Sequence, residues 1–358
     1  MNYRRSEILA AESIATAGTK TIDINLADPI SRLSLIVRLT GSGDVPTAHP
    51  AKSITKIEVI DGSKVVFSMK GIAAIALDWF DTFVEPLNSL TYLTGIQAWA
   101  VFNLNFGRWL FDPDLALDPK RFNNLQLKVT HNYAAGGCNP SAGTLRVMAD
   151  VFDEKVPSLR GYLCSKEHYS VPDSNSDINY VDLPTDQILR KLMIQAYAND
   201  KYPYNQVSSI KLSEDHDKRV VLDESVSDFL KLCPENAKLY HEFLYGAGVS
   251  AGRDFYITPA YLSALVMNPV DAATGYCYNS RTAGCLQNLS SSASGNFAGL
   301  VTGWCPLGAF VVPFGDQEDA SDWYDVTRIG KLQLKITQGS SVSGSETIET
   351  ITQQLIAY

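Results

Sequence analysis

The sequence predicts an all-β protein made of two tandem antiparallel β-sandwiches with a few short helices. Three observations predict this class: an internal repeat, short alternating strands separated by turn clusters, and few segments with helical periodicity. At 358 residues the chain is long enough for two domains that each bury a core.

The repeat is clearest near the end of each half. Leu125-Gln126-Leu127-Lys128-Val129-Thr130 returns as Leu332-Gln333-Leu334-Lys335-Ile336-Thr337, each time after an acidic loop and before a Gly/Ser-rich loop. A final strand is predicted after each copy, over Thr144–Phe152 and Thr347–Tyr358. Alternating apolar and polar residues are typical of a strand with one wet face, so a single match carries little weight and a series in the same order carries more.

Segments nearer the start of each half also correspond, in the same order along the chain. Ile30–Ile36 resembles Ile188–Ile194 in its pattern, and a hairpin around Asp61-Gly62-Ser63 is answered by one around Glu214–Asp217. A helix is predicted after each hairpin, over Ile72–Val84 and Pro234–Tyr245.

These segments divide the chain into four parts. A sandwich of this size holds about eight strands in two Greek keys, which is the jelly-roll arrangement. The predicted parts are an N-terminal arm (1–17), a first jelly roll (18–165), a linker with the start of the second roll (166–184) and a second jelly roll (185–358).

Composition excludes several classes of protein. The net charge of -9 argues against direct binding of nucleic acid, which depends on Lys and Arg. The first 17 residues lack the apolar core of a signal peptide, which predicts synthesis and assembly in a cytoplasm. Six cysteines show no C-x-x-C spacing and predict no zinc or redox site. Thr282–Phe314 is uncharged, but its polar residues and prolines argue against a membrane span.

With this layout the sequence resembles the double jelly-roll major capsid proteins of tailless, lipid-containing icosahedral bacteriophages. The resemblance rests on chain length, the two Leu-Gln-Leu-Lys strands, the Ser53–Lys70 hairpin before an apolar helix and a basic-headed N-terminus. It implies a homotrimer whose six jelly rolls form a pseudo-hexameric capsomer of a virion. The implied partners are further copies, neighbouring capsomers, and other capsid proteins such as penton or minor proteins.

The resemblance also places the N-terminus on the inner side of the shell. There Tyr3, Arg4 and Arg5 would contact neighbouring subunits or, where an internal viral membrane is present, anionic headgroups. A solvated or intersubunit arm is the alternative for this segment. No catalytic, cofactor or metal residue is carried over from the family.

Two short segments resemble enzyme motifs, but each lacks a residue that the chemistry needs. Gly248-Val249-Ser250-Ala251-Gly252 matches a nucleophile elbow, but no histidine follows it to act as the base. His241-Glu242 lacks a second histidine at Tyr245, so a zinc-protease helix is excluded and His241 is predicted to lie on a helix face. We therefore predict that the protein is not an enzyme and uses no cofactor.

The other histidines and the acidic stretches have ordinary explanations. His49, His131, His168 and His216 are predicted to lie in loops or turns on the surface. Asp112-Pro113-Asp114 and Asp316–Asp325 could supply oxygen ligands to calcium, but neither matches an EF-hand loop, and solvated turns are preferred.

A binding protein is the alternative function. Lectins and viral spikes use the same jelly-roll architecture to bind carbohydrate or receptors, and exposed aromatic residues on loops would favour that function. Among the five tryptophans, Trp99 and Trp304 lie in apolar strand-like runs and are predicted to be core residues.

Overall fold

A computed structural model describes residues 2–247, 252–269, 277–291, 296–340 and 346–358. In these ranges β-strands dominate and helices are few, which confirms the all-β prediction. The strands of the first half are β1 (Tyr3–Ile14), β2 (Ala17–Asp23), β3 (Ile30–Gly41), β4 (Ile54–Asp61), β5 (Lys64–Met69), β6 (Leu90–Tyr92), β7 (Gln97–Asn105), β8 (Leu125–Asn132) and β9 (Pro140–Phe152).

The second half repeats this series and adds to it. Its strands are β10 (Gly161–Pro172), β11 (Ile178–Leu183), β12 (Ile188–Ala196), β13 (Val207–Glu214), β14 (Arg219–Ser225), β15 (Tyr240–Ala247), β16 (Arg253–Tyr256), β17 (Pro259–Pro269), β18 (Cys277–Ala283), β19 (Leu286–Ser291), β20 (Asn296–Pro306), β21 (Ala309–Pro313), β22 (Leu332–Gln338) and β23 (Thr347–Ala357). The α-helices are α1 (Gly71–Thr82), α2 (Pro203–Gln206) and α3 (Val226–Leu232).

The strand order shows the duplication directly. One sheet of the first half has the order β1-β9-β3-β7, and its counterpart in the second half is β10-β23-β12-β21. The other pair of sheets is β2-β8-β4-β5 and β11-β22-β13-β14. Each half thus contains eight strands in two four-stranded sheets with the same connectivity, which is a jelly roll. We call them roll 1 and roll 2.

The repeated sequence segments take equivalent places. The two Leu-Gln-Leu-Lys segments lie in β8 and β22, each between the first strand of its hairpin and a neighbouring edge strand. Leu127 and Leu334 are both fully buried. The alternation of apolar and polar residues predicts both strands correctly, because one face of each strand is in the core and the other is in contact with water.

Both predicted hairpins are confirmed. Of the two predicted helices, the first is confirmed. α1 follows β5, as expected, and its apolar residues are buried. The second helix, α3, ends before the predicted segment begins, and Pro234–Tyr245 is wrong as a helix: it forms a 3-10 turn followed by β15. In β15 alternate residues are buried, which is the period of a strand.

The predicted N-terminal arm (1–17) is also corrected. Tyr3–Ile14 forms β1, which pairs antiparallel with β9 from Tyr3 opposite Phe152 to Ile14 opposite Gly143. The predicted linker 166–184 contains the second part of β10 and all of β11. β1 carries mainly charged and small residues in place of a β-branched run, so local propensity does not mark it, and pairing with β9, far along the chain, stabilises it.

Roll 2 carries an insertion between α3 and β21. Strands β15, β17 and β20 form a sheet with β6 of the first half, and β16, β19 and β18 form a second small sheet. Thr282–Phe314, the uncharged segment, lies largely in β19, β20 and β21. No helix in the described ranges is long and apolar enough to cross a membrane.

Candidate assembly surface

The two rolls contact each other directly through strand pairing and a shared core. β5 and β10 pair in parallel, with Phe67 opposite Ser165 and Ser68 opposite Lys166. The pairing joins the sheets of the two rolls into one of eight strands. The core is continuous as well, since one cluster of buried apolar residues extends through both rolls. The two rolls therefore form a single packed unit.

A buried charge cluster reinforces this contact. Asp81, at the end of α1, accepts hydrogen bonds from Arg190 Nη1 at 2.7 Å and Lys191 Nζ at 2.8 Å, both on β12. Gln353 Nε2 of β23 donates to the other carboxylate oxygen at 3.0 Å. The three charged side chains are at most 3% exposed. Since the partners belong to different rolls, this polar cluster fixes how one roll sits on the other.

Burial governs the ionisation of this cluster. Burial raises the pKa of Asp81, but Lys191 and Arg190 together outweigh it, and the net pKa lies below the usual value. Burial lowers the pKa of Lys191 to about 8, although Asp81 opposes the change. The cluster is therefore ionised at neutral pH and carries one net positive charge.

A second polar contact joins roll 1 to the insertion. Thr258 donates from its backbone N–H and its hydroxyl to the two carboxylate oxygens of Glu242, both at 2.6 Å. His49 Nε2 lies 3.0 Å from the same hydroxyl, and His49 Nδ1 accepts from Ala51 N–H at 3.1 Å. The Nε2–H tautomer satisfies all three groups. Burial raises the pKa of Glu242 to about 7, and burial with the charge of Lys52 lowers the pKa of His49 to about 3.

These two groups predict a stability optimum in weak acid. The native state binds the Glu242 proton more tightly, so its contribution is full below pH 4.5 and is lost as pH rises through 7. Neutral His49 contributes fully above pH 6.5 and loses its contribution as pH falls through 3. From these two groups the free energy of unfolding should rise between pH 3 and 4.5, stay level to pH 6.5, where the two slopes cancel, and fall slightly from 6.5 to 7.

Urea unfolding midpoints of Glu242→Gln and the parent chain, measured from pH 3 to 9, check this expectation. Without Glu242 the rise due to His49 should continue to pH 6.5, so the difference in stability between the two chains should change by roughly 3 kcal/mol between pH 4.5 and 7. Glu12→Gln, in the half-exposed pair with Lys20, is the matched control. Parallel curves for the parent and Glu242→Gln would contradict the role of Glu242.

The predicted N-terminal site residues lie together at the start of β1. Tyr3 stacks on Phe111 with ring centroids 4.0 Å apart. Arg4 pairs with Asp28 and, at 3.2 Å, with Asp153, and Arg5 Nε donates to Asp150 at 2.8 Å. The arginines therefore have carboxylate partners within roll 1, although the Arg5 side chain is 61% exposed.

The two acidic stretches meet at one arginine. Arg108 binds Asp112 through Nε at 2.7 Å and Asp114 through Nη2 at 2.6 Å, and its Nη1 donates to the carbonyl oxygen of Glu318 at 2.6 Å. A guanidinium thus occupies the position expected for a cation, and it connects a roll 1 loop to a roll 2 loop. Among the described residues no group of three or more His, Cys, Asp or Glu side chains could hold a metal ion.

Other sequence predictions have mixed outcomes. His241 lies on strand β15 beside Glu85, not on a helix. His49 and His131 are buried, which corrects the surface prediction, and His131 and His168 lie on β8 and β10, not in loops. His168 is exposed as expected, and His216 lies exposed in a turn as expected. Of the elbow motif Gly248–Gly252, the first four residues lie outside the described residues.

The tryptophans give little support to a carbohydrate-binding site made of exposed aromatic residues. Trp79 and Trp323 are buried, and the indole N–H groups of the half-buried Trp99 and Trp304 donate to backbone carbonyls. The expectation that Trp99 and Trp304 are core residues is therefore only partly met. Trp109 is 42% exposed, and the Arg108 guanidinium lies 4.4 Å from its ring centroid.

Solved structures share this architecture over the full chain. The STIV (Sulfolobus turreted icosahedral virus) MCP matches with a TM-score of 0.61 and 9% identity, covering 100% of this chain and 97% of its own. This chain has a double jelly-roll fold. The major capsid protein of bacteriophage PM2 matches this double jelly roll with a TM-score of 0.56 and 10% identity, covering 99% and 98%. The PBCV-1 virus capsid chain matches with 0.59 and 11%, covering 99% and 94%.

Sequence comparisons add no further relative. No protein-family model matches the sequence, and no curated protein matches it. With identities near 10%, the structural likeness defines the fold alone.

Proposed function

We propose that this chain is the major capsid protein of a tailless icosahedral virus and that it acts as a structural subunit, not as an enzyme. The supporting observation is the agreement over essentially the full length with capsid subunits that have the same two rolls. A shared insertion or a single shared domain would not produce coverage of this kind in both chains.

The architecture suits this role physically. Two fused copies of one fold allow three chains to approximate sixfold symmetry, so a trimer can tile a shell. The inter-roll contacts described above hold the two copies in a fixed relation, which a repeating lattice requires. We therefore propose a homotrimeric, pseudo-hexameric capsomer that contacts neighbouring capsomers and penton or minor capsid proteins in the virion. We also propose that it assembles in the host cytoplasm, without direct contact to nucleic acid.

The paired sheets support a division of the chain into two domains. We propose that roll 1 comprises residues 3–152 and roll 2 residues 161–357, with the short segment 153–160 between them. We propose that Tyr3, Arg4 and Arg5 act in assembly by contacting a neighbouring subunit. Because both arginines have partners within the chain, contact with a neighbouring subunit is favoured over contact with membrane headgroups.

The carbohydrate- or receptor-binding alternative has less support. It requires exposed aromatic residues on loops, and of the five tryptophans only Trp109 is well exposed. The chain also shares its fold over its full length with capsid subunits.

Light scattering on the purified native protein tests the proposal. We expect a discrete species of about three times the 39.2 kDa chain mass, with ordered particles visible by electron microscopy under assembly conditions. A stable monomer at high protein concentration that binds glycans would overturn the capsid proposal.

A further inference from the structure

The two rolls do not use their equivalent edges in the same way. In roll 1 the outer edge of β5 is covered by β10, the first strand of roll 2. Val66 and Phe67 of β5 are buried, as are Cys164 and Ser165 of β10. The Cys164 thiol also donates to the carbonyl oxygen of Val65 at 3.5 Å.

The strands equivalent to β5 and β10 in the other roll, β14 and β1, are edge strands. β14 occupies in roll 2 the place of β5, and β1 occupies in roll 1 the place of β10. Among the described strands, β14 pairs only with β13 and β1 only with β9. Val220 on β14 is 46% exposed, and Tyr3 on β1 is 42% exposed. An unpaired strand edge is a ready site for pairing with another chain.

We infer that β14 of one subunit packs alongside β1 of a second copy of this chain, in parallel, and thereby repeats between subunits the β5–β10 contact found within one. The inference rests on the proposed capsid function and names the surface through which the copies bind each other. The contact is heterologous, because it joins two different edges. Three copies can then close a ring with six roll-to-roll contacts, alternately within and between chains.

The side chains around these edges also correspond. In roll 1, Lys64 at the start of β5 lies 4.9 Å from the ring centroid of Phe122 and 5.8 Å from that of Tyr162 on β10. In roll 2, Arg219 at the start of β14 lies 5.9 Å from the ring centroid of Tyr324. The second ring is missing there, and β1 begins with a tyrosine, Tyr3.

Charge is compatible with the same arrangement. Arg219 pairs with Glu214 as Lys64 lies opposite Asp61, so each hairpin has a cation at the first residue of its second strand. Farther along, β14 carries Asp223 and Glu224, and β1 carries Arg4 and Arg5 together with Glu7 and Glu12. The two edges thus carry charges of both signs, and the strand geometry is what supports the pairing.

Another pair of equivalent outer edges does not show this asymmetry. β2 and β11 hold equivalent positions in the two rolls, and among the described strands each pairs with one other. Since no described strand covers either of them, the described part of the chain contains no template for a contact through them. They serve as the matched control.

Disulfide trapping tests the inference. From the hairpin registers, Asp223 corresponds to Ser68, which lies opposite Lys166, and the β1 residues equivalent to Lys166 are Ser6 or Glu7. We expect Ser6→Cys/Asp223→Cys or Glu7→Cys/Asp223→Cys to give reducible dimers and trimers on non-reducing denaturing gels after mild oxidation. Each single variant should give no trimer, because a ring needs both thiols in each chain.

The controls separate this inference from the proposed function. Thr21→Cys/Tyr180→Cys, on the exposed edges β2 and β11, should stay uncrosslinked within the trimer. Background from Cys138, Cys164, Cys233, Cys285 and Cys305 is low because all five are buried. A trimer by light scattering in which neither β1/β14 pair crosslinks would overturn the inference and leave the capsid proposal standing. A monomer without crosslinks would overturn both.

Discussion

Replacing Asp81 by alanine is expected to destabilise the subunit by about 3–5 kcal/mol, because Arg190 and Lys191 would be left buried without their counter-charge. Lys191 can relieve part of this cost by losing its proton, since burial already lowers its pKa to about 8. The loss should therefore be larger at pH 6 than at pH 9. Urea unfolding followed by tryptophan fluorescence measures it, with buried Trp79 in roll 1 and Trp323 in roll 2 as reporters.

Two controls show whether the effect arises from uncompensated charge. Glu12→Ala breaks the half-exposed pair with Lys20 and should cost at most about 1 kcal/mol. The triple variant Asp81→Leu/Arg190→Met/Lys191→Met removes all three charges and should recover most of the stability. If the triple variant were as unstable as Asp81→Ala, packing and not charge would explain the loss.

Aspartate at Leu127 or Leu334 is expected to prevent stable folding. Both leucines are fully buried at equivalent places in β8 and β22. Each substitution loses about 2–5 kcal/mol of apolar burial and also places a carboxylate in the core without a partner. Soluble yield and the urea midpoint measure the effect, and we expect both variants to be affected alike because the two sites are equivalent.

Substitutions on the other face of the same strands are the control. Lys128 and Lys335 are half-buried neighbours whose side chains alternate with the leucines, so alanine there should change the stability little. If Leu127→Asp unfolded while Leu334→Asp remained native, the equivalence of the two rolls would be wrong at the level of packing.

The repeat could be predicted because its strands are amphipathic. β8 and β22 bury every second residue, and this period is visible in the letters of the sequence. α1 was equally visible as an apolar run after a hairpin. By contrast, the helix start at Pro234-Glu235 predicts a helix over Pro234–Tyr245, while pairing with β20 and β6 makes Tyr240–Ala247 a strand.

The polar contacts between rolls could not be predicted in this way. Asp81 lies over 100 residues from Arg190 and Lys191, and nothing near any of the three marks them as partners. The same holds for His49, whose burial depends on Thr258 in the insertion. The edge strand β1 was missed because its ion pairs with Asp28, Asp150 and Asp153 exist only after roll 1 has closed.

The position of the last strand in each roll has a consequence for folding during translation. β9 lies between β1 and β3, so roll 1 can close once residue 152 has left the ribosome. β23 likewise lies between β10 and β12, and the central gap of roll 2 stays open until residue 357 has been made. A nascent chain therefore holds roughly 200 residues of roll 2 in an incomplete state beside a finished roll 1, and this is the interval in which chaperones would be most needed.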